Sequence, residues 1–139
     1  MAIPLMISAT QADQRRTQTR ADLEVARIDR KVLVDEAKQA DAIRKQRHER
    51  YKQAKLELQD QKIMHANGEL SSEEFQIHKE RVAKLKAAYI NAREKLKEIK
   101  ESKRIARQEI QNKKDAHQQA SADFRAVQKD IKTFKKHVL

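Results

Sequence analysis

The chain has 139 residues, of which 38% are hydrophobic, 38% charged and 4% aromatic, with one glycine, one proline and no cysteine. This composition favours long helices and excludes a thick hydrophobic core, a disulfide framework and a thiolate metal site. The net charge of +11 indicates an acidic partner such as nucleic acid, anionic lipid or an acidic protein surface, although 21 acidic residues are interleaved with the 32 basic ones.

Residues 1–10 form an apolar N-terminal segment, which we expect to precede the first helix. Its apolar run from Met1 to Ile7 is too short to span a membrane, is interrupted by Pro4 and has no basic residues before it. We therefore expect neither membrane insertion nor a standard cleaved signal peptide.

Residues 11–66 are predicted to form the first helix. A ladder of partly apolar positions, alternately three and four residues apart, indicates one helix face. Its members are Ala12, Arg16, Thr19, Leu23, Ala26, Arg30, Leu33, Ala37, Ala40, Arg44, Arg47, Tyr51, Ala54 and Leu58. A second stripe, Val25, Ile28 and Val32, lies off this ladder. The stripe is either a stutter that rotates the seam locally or a contact surface for another protein.

Residues 67–71 are predicted to form a turn. Asn67 and Gly68 are residue types that adopt the left-handed conformation that ends a helix. Ser71 and Glu74 have the spacing of a capping box, and Phe75 begins a new apolar ladder immediately afterwards.

Residues 72–139 are predicted to form the second helix, whose apolar ladder is stronger. Its members are Phe75, His78, Val82, Leu85, Tyr89, Ala92, Leu96, Ile99, Lys103, Ala106, Ile110, Lys113, His117, Ala120, Phe124, Val127, Ile131, Phe134 and Val138. A helix that carries this ladder spans roughly 95 Å at 1.5 Å per residue, which favours an elongated molecule.

The short turn makes the two helices antiparallel neighbours, so the predicted fold is all-α, an antiparallel coiled-coil hairpin. Facing residues then have numbers that add to 139 or 140, which pairs Tyr51 with Tyr89. The same register places residues 1–10 beside Ile131, Phe134 and Val138. An intermolecular coiled-coil dimer is the alternative, and we favour a monomeric hairpin over a homodimer.

The sequence predicts neither a catalytic nor a cofactor-binding site. A two-helix hairpin encloses no pocket, and a chain with a single glycine does not form a phosphate-cradling loop. Glu74 and His78 lie one turn apart, but two ligands are weak evidence for a metal. We therefore expect a protein that is not an enzyme and that has no metal site.

Nucleic acid is the alternative partner that the basic charge suggests. The densest basic run, Arg44 to Arg50, lies in mid-helix and partly on the ladder, and every aromatic residue is also on a ladder rather than on a stacking platform. We expect charge-driven binding at low salt but no specific recognition. The alternatives are therefore a basic coiled-coil module that binds nucleic acid or ribosomes, and a generic scaffold or export chaperone.

The chain is basic, lacks cysteine and is predicted to form two long helices. Its turn reads Gly68-Glu69-Leu70-Ser71-Ser72-Glu73-Glu74-Phe75 and leads to Val82 and Leu85. In these features the chain resembles the FliJ/YscO group. These proteins are central stalks of the export ATPases of flagellar and virulence type III secretion. The resemblance covers almost the whole chain through its architecture, and the polar first helix departs from it.

The resemblance implies a hairpin whose termini-bearing end enters a hexameric ATPase ring, with the export gate and export chaperones as further partners. The implied location is cytoplasmic, peripheral to a membrane-embedded secretion apparatus, and export of the chain itself remains open, as does the flagellar or virulence system. The apolar residues of the ATPase-facing end are Phe124, Val127, Ile131, Phe134 and Val138, and its basic residues are Lys132, Lys135 and Lys136.

Overall fold

The computed structural model describes the backbone of residues 2–138 and the side chains of residues 9–138. Helix α1 spans Ala2–Ala66 and helix α2 spans Ser72–Val138. The predicted all-α fold of two long helices joined as a hairpin is confirmed, and residues 2–138 contain no strand.

Helix α1 begins at Ala2 and therefore includes most of the segment that the sequence analysis placed before it. Pro4 is compatible with this early start, because a proline in the first helical turn lacks only an N–H group that would have no intrahelical partner. The predicted packing of Met1–Ile7 beside α2 falls outside the described side chains.

The chain divides into two compact units, Leu33–Ser102 and the pair of segments Met1–Val32 and Lys103–Leu139. We call the first the turn unit and the second the terminal unit. In each unit a stretch of α1 packs against a stretch of α2.

Small and apolar side chains form the seam of the turn unit. Its buried residues are Ala37, Ala40, Ala54, Phe75, Ala92 and Leu96, and all of them belong to the two predicted ladders. The Tyr51 and Tyr89 rings stack with centroids 6.3 Å apart and planes 7° from parallel. This contact confirms the predicted facing pair.

The turn ends α1 with a Schellman motif, a pair of backbone hydrogen bonds around a left-handed residue. Gly68 has φ of +77° and donates to the His65 carbonyl at 3.1 Å, while the amide of Glu69 donates to the Met64 carbonyl at 2.9 Å. Ser71 then caps α2, because its Oγ accepts from the amide of Glu74 at 3.1 Å. The local sequence thus specifies both helix ends.

Three buried residues, Leu23, Ala26 and Ala120, lie in the seam of the terminal unit. Polar contacts supplement them. Thr19 Oγ1 lies 3.0 Å from His117 Nδ1, and the same hydroxyl donates to the Arg16 carbonyl at 3.0 Å. Because a hydroxyl has only one hydrogen to donate, His117 Nδ1 is the donor to Thr19.

Long basic side chains occupy several seam positions of the terminal unit. Lys103 and Lys113 are half-buried, as expected for side chains that lay their methylenes on the seam. Arg30 departs from this picture, because its Nε is buried and has no hydrogen-bond partner among the described residues. This unpartnered donor weakens the seam at that position.

Candidate functional site

The termini-bearing end of the terminal unit exposes its basic residues more than its apolar ones. Phe124, Val127, Ile131 and Phe134 are half-buried, and Val138 is exposed. Lys132, Lys135 and Lys136 are all exposed. Among the described side chains of α2 at this end, the exposed ones are therefore mainly cationic and the apolar ones mainly half-buried.

Arg16 on α1 reinforces that charge. Its guanidinium carbon lies 4.1 Å above the centroid of the Phe124 ring, a cation–π contact that joins the two helices. Beside it, Arg15 Nη1 contacts Asp123 Oδ2 at 3.4 Å. Arg125 and Lys129 on α2 are also exposed, so cations continue along this stretch of the helix.

The stripe of Val25, Ile28 and Val32 lies on the surface of α1, where these side chains are 57%, 62% and 51% exposed. The neighbouring ladder residues Leu23 and Ala26 are buried. The seam therefore does not rotate onto the stripe, and more than half of each of these three side chains is exposed.

Ile105 on α2 is an exposed apolar residue of the same unit that the sequence analysis did not select, with 54% of its surface accessible. It lines an open groove together with Arg104, Gln108, Glu109, Asn112, Lys113 and Ala116. Ile105 lies between the ladder residues Lys103 and Ala106 but is not on the ladder itself. An apolar residue off the ladder is the sequence pattern that would have identified it.

The predicted turn residues Asn67, Gly68 and Ser71 have structural roles, since they close α1 and open α2. The side chains beside the turn pack closely. The ring centroids of His65 and Phe75 are 4.8 Å apart, and Lys79 Nζ lies 4.5 Å from the Phe75 centroid. Phe75 is thus held from both helices.

Part of the densest basic run is paired within α1. Arg44 Nη2 contacts Asp41 Oδ1 at 2.9 Å, and Lys45 Nζ lies 3.3 Å from Asp41 Oδ2. Hydrogen bonds donated by Arg44 and then Lys45 lower the pKa of Asp41 below its usual value, and the bond that Arg44 donates to Asp41 raises the pKa of Arg44. The pairing offsets one of the charges that a nucleic acid would contact.

Arg47 is a ladder position of α1 whose side chain does not pack into the seam. It is exposed, and its Nη1 donates to the Ala88 carbonyl at 3.4 Å. The ring of His48 instead lies against Tyr89, with centroids 4.7 Å apart. A long arginine reaches past the seam, and the adjacent imidazole covers the aromatic ring.

The described surface offers grooves and charged rows rather than converging reactive groups. Among residues 9–138, no three His, Asp or Glu side chains are grouped as metal ligands would be. The grooves of the turn unit, such as the one lined by Glu36, Ile43 and Lys95, are open to solvent.

Neither helix contains, within its described residues, an apolar stretch long enough to cross a bilayer. Comparison of the chain with protein-family models, with curated proteins and with solved structures finds no match.

Proposed function

We propose that this chain is a non-enzymatic coupling protein of a type III secretion export apparatus. In this role its termini-bearing end inserts into a hexameric ATPase ring, and the hairpin connects the ring with the export gate and with export chaperones. The observation that carries the proposal is the exposed cationic surface of that end, formed by Lys132, Lys135 and Lys136 on a two-helix hairpin.

Charge supports this role, because a ring whose central opening is acidic attracts such an end and holds it without a shape-specific pocket. The exposed cations lie on successive turns of α2, so they can contact several subunits of a ring. Phe124 and its neighbours give the end a half-buried apolar side that fixes the position of the lysines.

The polar seam of the terminal unit is also compatible with a part that works inside a larger assembly. Contacts such as Thr19–His117 and Arg15–Asp123 contribute little net stability in water, because water competes for the same groups. Binding to a partner stabilises such a unit by mass action. The terminal unit is therefore expected to gain most order on assembly.

The experiment measures how strongly the chain stimulates ATP turnover by a purified hexameric export ATPase. We expect truncation after Ala122 to abolish stimulation and co-assembly while the turn unit keeps its helicity in circular dichroism. A variant with Lys132, Lys135 and Lys136 changed to Gln should reduce stimulation strongly, because it removes charge and leaves the seam intact.

The matched control changes Lys52, Lys55 and Lys62 to Gln, three exposed lysines of the turn unit. It alters net charge equally and should leave stimulation near that of the unmodified chain. Unchanged turnover with the truncated chain, or equal loss with both lysine variants, would contradict the proposal.

A basic module for nucleic acid or ribosomes is the second candidate, favoured by the net charge of +11 and by the exposed run from Lys45 to Arg50. The test is a salt titration of binding to ribosomes and to duplex RNA. Binding that persists at about 0.2 M salt supports this function, whereas loss by that concentration indicates simple charge attraction.

A further inference from the structure

One face of the terminal unit combines exposed apolar side chains with acidic ones, in a chain that is otherwise strongly basic. Val25, Ile28 and Val32 are more than half exposed on α1, as is Ile105 on α2. This face differs from the cationic end that the proposed function uses, so the two can be tested separately.

The ion pair between Arg15 and Asp123 shows which rows of the two helices meet beside the seam on this face. Two heptad repeats further along α1 and the same distance back along α2, the corresponding positions are Asp29 and Glu109. The register therefore places Asp29 opposite Glu109, two acids, whereas the equivalent pair nearer the termini is an arginine and an aspartate, Arg15 and Asp123.

Neither Asp29 nor Glu109 forms an ion pair with a described residue, and both are exposed. Facing carboxylates repel each other, so this pair costs stability in the isolated hairpin. A cation placed between them removes that repulsion. The pair is thus better suited to a bound complex than to the free chain.

The apolar stripe lies on the same side of α1 as this acidic row. Asp22, Val25, Asp29 and Val32 follow one another at spacings of three and four residues, which places them on one helix face, and Ile28 lies one turn from both valines. On α2, Ile105, Glu109, Asn112 and Ala116 follow the same spacing and line one groove.

Most basic residues of α1 in this stretch occupy other rows. Between residues 18 and 32 the cations are Arg20, Arg27, Arg30 and Lys31. Lys31 lies one turn from Ile28, at the edge of the stripe, and the other three lie off it. On α2, Arg107 and Lys114 likewise lie off the row of Ile105. Lys113 and Arg104 also line the groove, and Lys113 lies one turn from Glu109. The row of Asp22, Val25, Asp29 and Val32 on α1 is therefore apolar and acidic, whereas the groove on α2 has one acid and two cations.

We propose that this face binds an amphipathic helix of another protein, one whose apolar side is flanked by lysine or arginine. The apolar side covers Val25, Ile28, Val32 and Ile105, and a cation lies between Asp29 and Glu109. Charge determines this choice of occupant. The same face of a second copy would bring acid against acid, and an acidic helix would meet the same repulsion.

The test uses two synthetic helical peptides of about five turns with identical leucine patterns, one flanked by Lys and one by Glu. Fluorescence anisotropy at about 0.15 M salt measures their binding to the full chain. We expect the Lys peptide to bind and the Glu peptide to bind at least tenfold more weakly, although the net charge of the chain favours the opposite order.

Ile28→Ser should weaken binding of the Lys peptide about tenfold, because an apolar contact is lost. Its control is Ile63→Ser, an isoleucine of the turn unit that is 61% exposed against 62% for Ile28, and this change should have no effect. The double variant Asp29→Asn, Glu109→Gln should also weaken binding about tenfold, since it removes both charges.

Several outcomes would overturn the proposal. These are tighter binding of the Glu peptide, no binding of the Lys peptide, equal loss with Ile28→Ser and Ile63→Ser, or no loss with the double acid variant. Sedimentation of the chain alone tests whether the face instead binds a second copy of the chain. A dimer that Ile28→Ser dissociates would assign the face to a second copy instead.

Discussion

The turn unit and the terminal unit use the same two helices but hold them together by different means. In the turn unit, alanines, Leu96 and stacked aromatic rings form the seam. In the terminal unit, the described side chains include three buried ones, accompanied by a hydroxyl–imidazole bond, an arginine over a phenyl ring and a surface ion pair. We therefore expect the turn unit to be the more stable of the two.

The largest expected effects come from shortening a buried leucine in each unit. Leu96→Ala should lower the free energy of unfolding by about 3 kcal/mol and Leu23→Ala by about 2 kcal/mol, because both leave a cavity but the terminal seam is already more polar. Amide hydrogen exchange locates the effect, which should be confined to the terminal unit for Leu23→Ala.

The control for these variants is Leu56→Ala, which changes a side chain that is 56% exposed and should cost less than about 0.5 kcal/mol. If Leu23→Ala instead accelerates exchange throughout the turn unit, the two units unfold together and the proposed difference between them is wrong.

Gly68→Ala should lower the free energy of unfolding by about 1 kcal/mol, because alanine is strained at a φ of +77°. A Cβ at this position meets no atom within 4 Å outside residues 67–69, so the cost arises from the local backbone conformation and not from contacts with the rest of the chain. Thermal unfolding followed by circular dichroism measures it. The adjacent change Glu69→Ala should be nearly neutral, and a similar loss in both variants would argue against the left-handed requirement.

Thr19→Val should destabilise the terminal unit by about 1 kcal/mol, because His117 loses its hydrogen-bond partner while the side-chain shape is kept. Exchange of amides near His117 reports the change. Thr17→Val, at an exposed threonine of the same helix, is the matched control. Equal exchange in both variants would show that the Thr19–His117 contact contributes nothing.

The smallest effect concerns pH. The pKa of Asp41 is lowered in the folded chain by hydrogen bonds from Arg44 and Lys45, so its contribution to stability is present above the unfolded pKa and is lost as pH falls through the folded value. Asp41→Asn should therefore lower the melting temperature slightly at pH 7. The difference should vanish well below the ordinary aspartate pKa of about 3.9. A difference that persists in acid would exclude this charge effect.

The sequence predicted the seam well because its period is a property of the helix itself. The buried residues all lie on the two ladders, and the Tyr51–Tyr89 pair follows from the register. The turn was also predicted correctly from the sequence. The glycine that follows Asn67 ends α1, and Ser71 caps α2, so each residue meets one backbone requirement.

Periodicity does not determine what long side chains do, and the differences from prediction occur there. Arg47 occupies a seam position yet extends to the Ala88 carbonyl, and Arg30 buries a nitrogen without a partner. Asp29 and Glu109 were not predicted as a pair because they lie beside the ladder, and their proposed juxtaposition follows from the rows that the Arg15–Asp123 contact brings together.

The open surroundings of Gly68 make the turn suitable for attaching a fluorescent label. Residues 66–69 are exposed, and the hydrogen bonds that end α1 are complete by Glu69. A dye-accepting peptide inserted after Glu69 would extend into water and leave both helices paired. The connection therefore provides a site for optical labels at which neither the cationic end nor the acidic face is altered.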